Sequence, residues 1–202
     1  MAWHRVSADD PLMGASSDLA VATAHLRDAV VLPEAQHHRD LVLGFVADHH
    51  DAALRTNLRG HLTGSALVVD GAAERTLLML HRKLGRWFQP GGHADGDTSL
   101  PAVAWREATE ETGINGLTVL VPAIDVDVHE VAPPGEIPHL HLDVRYLVIA
   151  PVGARPQANE ESRALRWVSE AELDGLEPAV DESTRRLVRR GMGIARELLS
   201  EP

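Results

Sequence analysis

The sequence predicts a mixed α/β domain behind a helical N-terminal extension, and three observations carry that reading. Apolar residues recur at three- and four-residue steps up to about residue 58. From residue 60 the period drops to two, in short runs bounded by glycine and proline. The helical period then returns in two later segments, so strands and helices mix as in an α/β or α+β sandwich. A chain of 202 residues fits one domain with an extension, here divided as 1–59 and 60–202.

In the extension, Leu19, Ala22, Leu26, Ala29 and Val30 make one apolar face, with Ser17 or Asp18 as its cap. Pro33 ends that helix or starts the next. Leu41, Val42, Phe45, Val46, His49, Ala52 and Ala53 make a second stripe. Two such helices are too small to fold alone and are expected to pack on the domain that begins at residue 60. Residues 61–69 read as a strand, Asp70-Gly71 as a turn and residues 75–80 as the hairpin partner. Gln89-Pro90-Gly91-Gly92 reads as a loop. Residues 100–112 read as a helix, with Pro101 tolerated in its first turn and Gly113 just past its end.

Two longer strands come next. Ile124, Val126 and Val128 alternate with Asp125, Asp127 and His129. Leu140, Leu142, Val144, Tyr146 and Val148 alternate with His139, His141, Asp143 and Arg145. Such alternation predicts one buried face and one face open to water or a cleft. Residues 165–168 make a short strand. Residues 181–199 close the chain as a helix, with Leu187, Val188, Ile194, Leu198 and Leu199 on its buried side.

Composition narrows the function. Nineteen basic against 30 acidic residues leave a net charge of −11, the wrong sign for a nucleic-acid polymer as partner. A small phosphorylated ligand stays compatible, because a bound metal reverses the local sign. With no cysteine, disulfides, thiolate zinc sites and cysteine nucleophiles are excluded. The first residues lack an apolar core of signal-peptide length, and no apolar run reaches the ~18 residues of a spanning helix. The expectation is a soluble cytoplasmic protein without a membrane partner.

The chemistry concentrates between Gly92 and Ile114. Glu107, Glu110 and Glu111 sit at i, i+3 and i+4 and share one helical face, where like charges repel by a few tenths of a kcal/mol per pair, roughly. A divalent cation answers that repulsion. Mg²⁺, with Mn²⁺ as a substitute, prefers carboxylate oxygen and keeps waters for a phosphate substrate. Arg106 is placed to orient one carboxylate. Gly91-Gly92 lets the backbone approach a ligand closely, so a glycine carbonyl can join the carboxylates. This set suits attack of water on a phosphoanhydride.

The same residues resemble the Nudix box: a glycine, five free positions, a glutamate, seven free positions, then Arg-Glu-U-X-Glu-Glu-X-Gly-U, with U aliphatic. Here Gly92 opens the pattern and Arg106-Glu107-Ala108-Thr109-Glu110-Glu111-Thr112-Gly113-Ile114 closes it. Thr98 stands where the pattern has glutamate. The resemblance spans roughly residues 60–175 and implies a Nudix α/β/α sandwich with a mixed sheet. It implies a metal-dependent pyrophosphohydrolase acting on a small phosphorylated substrate, typically a nucleoside diphosphate linked to another moiety. It implies metal ligation by the Gly91 carbonyl, Glu110, Glu111 and Glu107, with Glu107 alternatively the base and Arg106 orienting it. Many members add an acidic residue from a later loop, for which Glu161, beside Glu160, is the candidate. Thr98 keeps a second reading open, a weakened ligand-binding or regulatory module of the same fold, unless Asp95 or Asp97 compensates.

Other residues carry two readings each. His93 is a phosphate contact or a surface histidine. His139, His141 and Asp143 are a substrate-facing row, a zinc site, or polar residues on an open sheet face. Trp87, Trp105 and Trp167 read as core or cleft walls. The helical extension is a candidate homodimer surface or cleft cover.

Overall fold

A computed structural model describes residues 3–132, 135, 137–160 and 162–200. Its strands are β1 (His4–Val6), β2 (Gly60–Val69), β3 (Thr76–His81), β4 (Trp87–Phe88), β5 (Gly91–His93), β6 (Thr118–Val131), β7 (His139–Ile149) and β8 (Ser162–Val168). Its α-helices are α1 (Leu19–Asp28), α2 (Gln36–Asp48), α3 (Leu100–Thr112) and α4 (Glu182–Ser200). The eight strands form one sheet in the order β1-β6-β7-β2-β3-β4, with β5 on β2 and β8 on β3. It is a mixed sheet: β2 and β7 run parallel over ten paired residues, while β6 and β7 are antiparallel.

Helices cover both faces. Leu62, Ala66, Leu142, Val144 and Tyr146 pack beneath α1, α2 and α3 through Leu26, Val42, Val103 and Ala104. Leu67, Leu147, Ile149 and Ile124 pack on the other face beneath Leu187, Val188 and Met192 of α4. The result is the α/β/α sandwich expected from the sequence.

Local chemistry explains the element ends. The Asp18 carboxylate accepts from the Ala20 N–H at 2.9 Å and caps α1. Gly113 ends α3 in the left-handed region, φ +65°, where a side chain would be strained. Val42 and Val46 are buried as expected, but Leu41 is 58% exposed and does not belong to the buried stripe of α2. The N-terminal segment is woven into the sheet: β1 pairs with the β6 edge, Arg5 opposite Leu120. The stretch Gln89-Pro90-Gly91-Gly92, read as a loop, instead runs into β5, which lays Gly91 and His93 against Ser65 and Thr63.

The polar faces of β6 and β7 differ from expectation. Asp125, Asp127, Asp143 and Arg145 are buried rather than open to water, because the N-terminal turns of α4 lie over them. Among the described residues, no helix is long and apolar enough to cross a membrane.

Candidate active site

Helix α3 and strand β5 build the first half of the site. Val103 and Ala104 press α3 onto Gly64 of β2, so closely that a Cβ at Gly64 would lie 2.9 Å from Val103 Cγ1. That seat brings the polar flank of α3 against β5. Arg106 donates through Nη2 to the His93 carbonyl at 2.8 Å and to Glu107 Oε1 at 2.8 Å. The Gly91 N–H donates to Glu111 Oε2 at 2.9 Å. Gly92 passes so near α3 that a Cβ there would overlap the Glu107 carboxylate. Glu111 is buried, Glu107 half-buried and Glu110 exposed. Among the described residues these three carboxylates do not converge into a closed ligand cage. Glu107 and Glu111 lie against β5 and Glu110 is exposed beside them on α3, an open arrangement that suits a hard cation keeping its own waters.

The loop before α3 is fixed without a glutamate at 98. Thr98 is fully buried, its N–H donates to the Ser16 carbonyl at 2.7 Å, and its Oγ1 has no hydrogen-bond partner among the described residues. Asp97 Oδ1 accepts from the N–H groups of Ser16 and Ser99, at 3.1 and 2.9 Å. Asp95 is taken by Arg55, whose Nε and Nη2 reach its two oxygens at 2.7 and 2.9 Å. That hydrogen bond holds the Asp95 carboxyl below its usual range. Glu161 lies outside the described residues. Glu160 is exposed and its carbonyl accepts from Arg82. Asn159 donates to the Glu110 carbonyl at 3.3 Å, so this loop passes the C-terminal end of α3.

On the face away from α3, β2, β5, β6 and β7 lay down a second polar group. Parallel pairing puts His61 beside His141 and Thr63 beside Asp143, and antiparallel pairing puts His129 beside His141. His93, on β5, joins through rings centred 4.8 Å from His61 and 5.1 Å from His141. His139 lies 4.9 Å from His61. His93 therefore links the two halves, its ring among the histidines and its carbonyl under Arg106. Burial, with neighbouring His93, holds His61 down at about 4. The same two causes hold His141 at about 3. Both rings are neutral at pH 7.

Further along the same face the row turns ionic. Asp143, offered by sequence as a partner of His139 and His141, is occupied elsewhere. Its Oδ1 accepts from Thr63 and Ser65 at 2.9 and 2.7 Å, and its Oδ2 from Arg145 Nε at 2.7 Å. Arg145 also reaches Asp125 and Asp127, at 3.2 and 3.1 Å. From α4, Arg186 reaches the same two aspartates at 2.9 and 3.0 Å. Burial opposes the charge on Arg145, yet the three aspartates outweigh it and raise its pKa. Burial likewise pushes Asp127 up, but the hydrogen bond with His129 and the two arginines hold it well below the carboxylate range.

Sequence reasoning placed Arg106, Glu107, Glu110, Glu111 and Gly91 at one site and paired His139 with His141. It missed His61, Thr63 and Ser65, whose two-residue phase along β2 was the available signal. It also missed Arg186 and Arg55, which reach the site through tertiary contacts alone.

A family profile described as the NUDIX domain matches residues 61–191. No curated protein matches the chain. Solved structures do. One, a NUDIX-family hydrolase from Clostridium perfringens, is 24% identical, with a TM-score of 0.55 over 66% of this chain and 97% of that one. Another, the Ap4A hydrolase of C. elegans in a binary complex, is 16% identical, with a TM-score of 0.54 over 67% of this chain and 98% of that one. A third, the dihydroneopterin triphosphate pyrophosphohydrolase of E. coli, is 18% identical, with a TM-score of 0.53 over 66% and 95%. At these identities the structures speak for the fold, and the profile match, which covers most of the chain and contains the α3–β5 site, speaks for the family. The chain belongs to the NUDIX domain family.

Proposed function

We propose that this chain hydrolyses a small phosphoanhydride, a nucleoside diphosphate linked to another moiety or a related pyrophosphate, with Mg²⁺ or Mn²⁺ at α3. The observation that carries this reading is the clamping of the β5 backbone against the α3 carboxylates, through Gly91 on Glu111 and Arg106 between His93 and Glu107. Glu107, Glu110, Glu111 and the Gly91 carbonyl would hold the metal. An extended residue turns its N–H and C=O the same way, so the Gly91 carbonyl faces the Glu111 side. When bound, the metal neutralises phosphate charge and lowers the pKa of a bound water.

The chain's own residues do the rest. Arg106 fixes the rotamer of Glu107, so that this carboxylate is presented as ligand or as base without a search through rotamers. The Gly91 N–H fixes Glu111 in the same way. His93 stands next to both and is a candidate phosphate contact. His139, His141 and Asp143 remain the candidate substrate-facing row, on the sheet face away from α3, with the buried Asp143 acting only indirectly by holding Thr63, Ser65 and Arg145 in place. Glu161 remains the candidate acidic residue from the later loop.

The test is phosphate and pyrophosphate release with Mg²⁺ and, separately, Mn²⁺. The panel comprises nucleotide sugars, dinucleoside polyphosphates such as Ap4A, ADP-ribose, NADH and nucleoside triphosphates. Metal-dependent turnover of one class supports the proposal and names its substrate. Silence across the panel, with ligand-dependent stabilisation intact, favours a ligand-binding or regulatory module instead. The buried Thr98 in place of the box glutamate is the observation behind that second reading.

A further inference from the structure

We infer that His61, His139 and His141 form a site for a divalent transition metal of the zinc class, separate from the α3 carboxylates. One ring nitrogen from each of the three lies within 4.8 Å of the others. The three come from two adjacent parallel strands in fixed register, His61 directly opposite His141 and His139 one step along the same face. Three imidazoles with an open fourth position are a recurring zinc arrangement, and imidazole also suits copper, nickel and iron. Zn–N bonds of about 2.0–2.1 Å place tetrahedral nitrogens about 3.3 Å apart, so small side-chain rotations close the set.

Two features point to a ligand rather than to a packed histidine core. Buried polar atoms are nearly always hydrogen-bonded. Here, among the described residues, the almost fully buried His61 has only an off-geometry backbone interaction with Asn57, which engages at most one of its two ring nitrogens, and Nε2 of His141 has no hydrogen-bond partner. The second feature is the tautomer of His139. Its Nδ1 lies 2.8 Å from the Ile137 carbonyl, which can only accept, so Nδ1 carries the proton and Nε2 offers a lone pair. A backbone carbonyl fixing the far nitrogen of a histidine is the usual outer-shell support of a metal ligand. His93 is not counted as a ligand. Arg55 donates to its Nδ1 at 2.9 Å, which places the proton of the neutral ring on Nε2. Asp143 is outside the set, being saturated by Thr63, Ser65 and Arg145.

The inference does not depend on the substrate or on turnover. Full-length protein stripped with chelator is titrated with Zn²⁺ and with Co²⁺ in excess Mg²⁺. We expect one equivalent bound, a visible Co²⁺ spectrum of four-coordinate character, and an X-ray absorption edge fitted by about three imidazoles. His139→Gln and His141→Gln each weaken the event at least ~10-fold. Glu110→Gln leaves it intact. Circular dichroism confirms that the histidine variants are folded, and the spectra of the unmutated protein decide the matter if they are not. Absence of uptake in excess Mg²⁺, equal affinity in folded His139→Gln, or loss of binding in Glu110→Gln would each overturn the site.

Discussion

At the scale of single residues, Arg145 and Thr98 carry the sharpest consequences. Arg145 is 3% exposed and pairs with three aspartates that are themselves buried. Removing one member of a buried charge set strands the others, at a cost of roughly 3–5 kcal/mol. Arg145→Met is expected to lower unfolding stability by about that amount, read from the midpoint of urea denaturation at unchanged slope. An effect within experimental error would mean that the aspartates find other partners. Thr98 has no exposed surface. Restoring the box glutamate by Thr98→Glu therefore inserts volume and charge into a closed space. It is expected to destabilise by about 1–3 kcal/mol from overpacking alone, seen as a lower melting temperature. A gain in activity with unchanged stability would show instead that the loop opens to admit the carboxylate.

At the scale of elements, the pairing of β5 with α3 is the functional unit. Its two glycines are not equivalent. A Cβ on Gly91 would collide with Ser65 Oγ, which is held by Asp143, and press on the Ser65 Cα at 3.0 Å, which is backbone, whereas a Cβ on Gly92 would meet the movable end of Glu107. Gly92→Ala is expected to cost under about 1.5 kcal/mol of stability while pushing Glu107 off Arg106 and lowering kcat at least ~10-fold. Thermal unfolding beside steady-state kinetics checks both halves, and an unchanged kcat would remove the argument for close approach. How much of this is legible in the sequence differs by element. Helix α3 and its carboxylates are fully legible, because a helix face follows from local spacing and Gly113 marks its end. Strand β5 is not, because a three-residue strand at glycines has no side-chain pattern and exists only through pairing with β2. The alternation of β6 and β7 reveals the strands but not the fate of their polar face. Covering it needs α4, and an arginine 41 residues past Arg145 in the sequence carries no local sign that it will reach Asp125 and Asp127.

At the scale of the whole molecule, one polar row runs along the sheet from the histidines to the aspartates, and it makes stability depend on pH. His61 faces His93, His139, His141 and Arg55, and His141 also faces His129 and Asp143. Their folded-state values of about 4 and about 3 lie below the unfolded 6.5. The unfolded chain thus binds more protons between those limits, and stability falls as pH drops below 6.5. The depressed Asp127 and Asp143 add to the loss once pH falls below 3.8. In chelator, the melting temperature is expected to decline steadily below about pH 6.5; a flat profile down to pH 5 would contradict the buried neutral histidines. The most direct test of metal-assisted hydrolysis lies at the other half of the site. Glu110 is exposed and is proposed as a ligand of the catalytic metal. Turnover of the best panel substrate at saturating Mg²⁺ should fall at least ~100-fold in Glu110→Gln with the melting temperature unchanged. Equal turnover in the two proteins would contradict catalysis by a metal on α3.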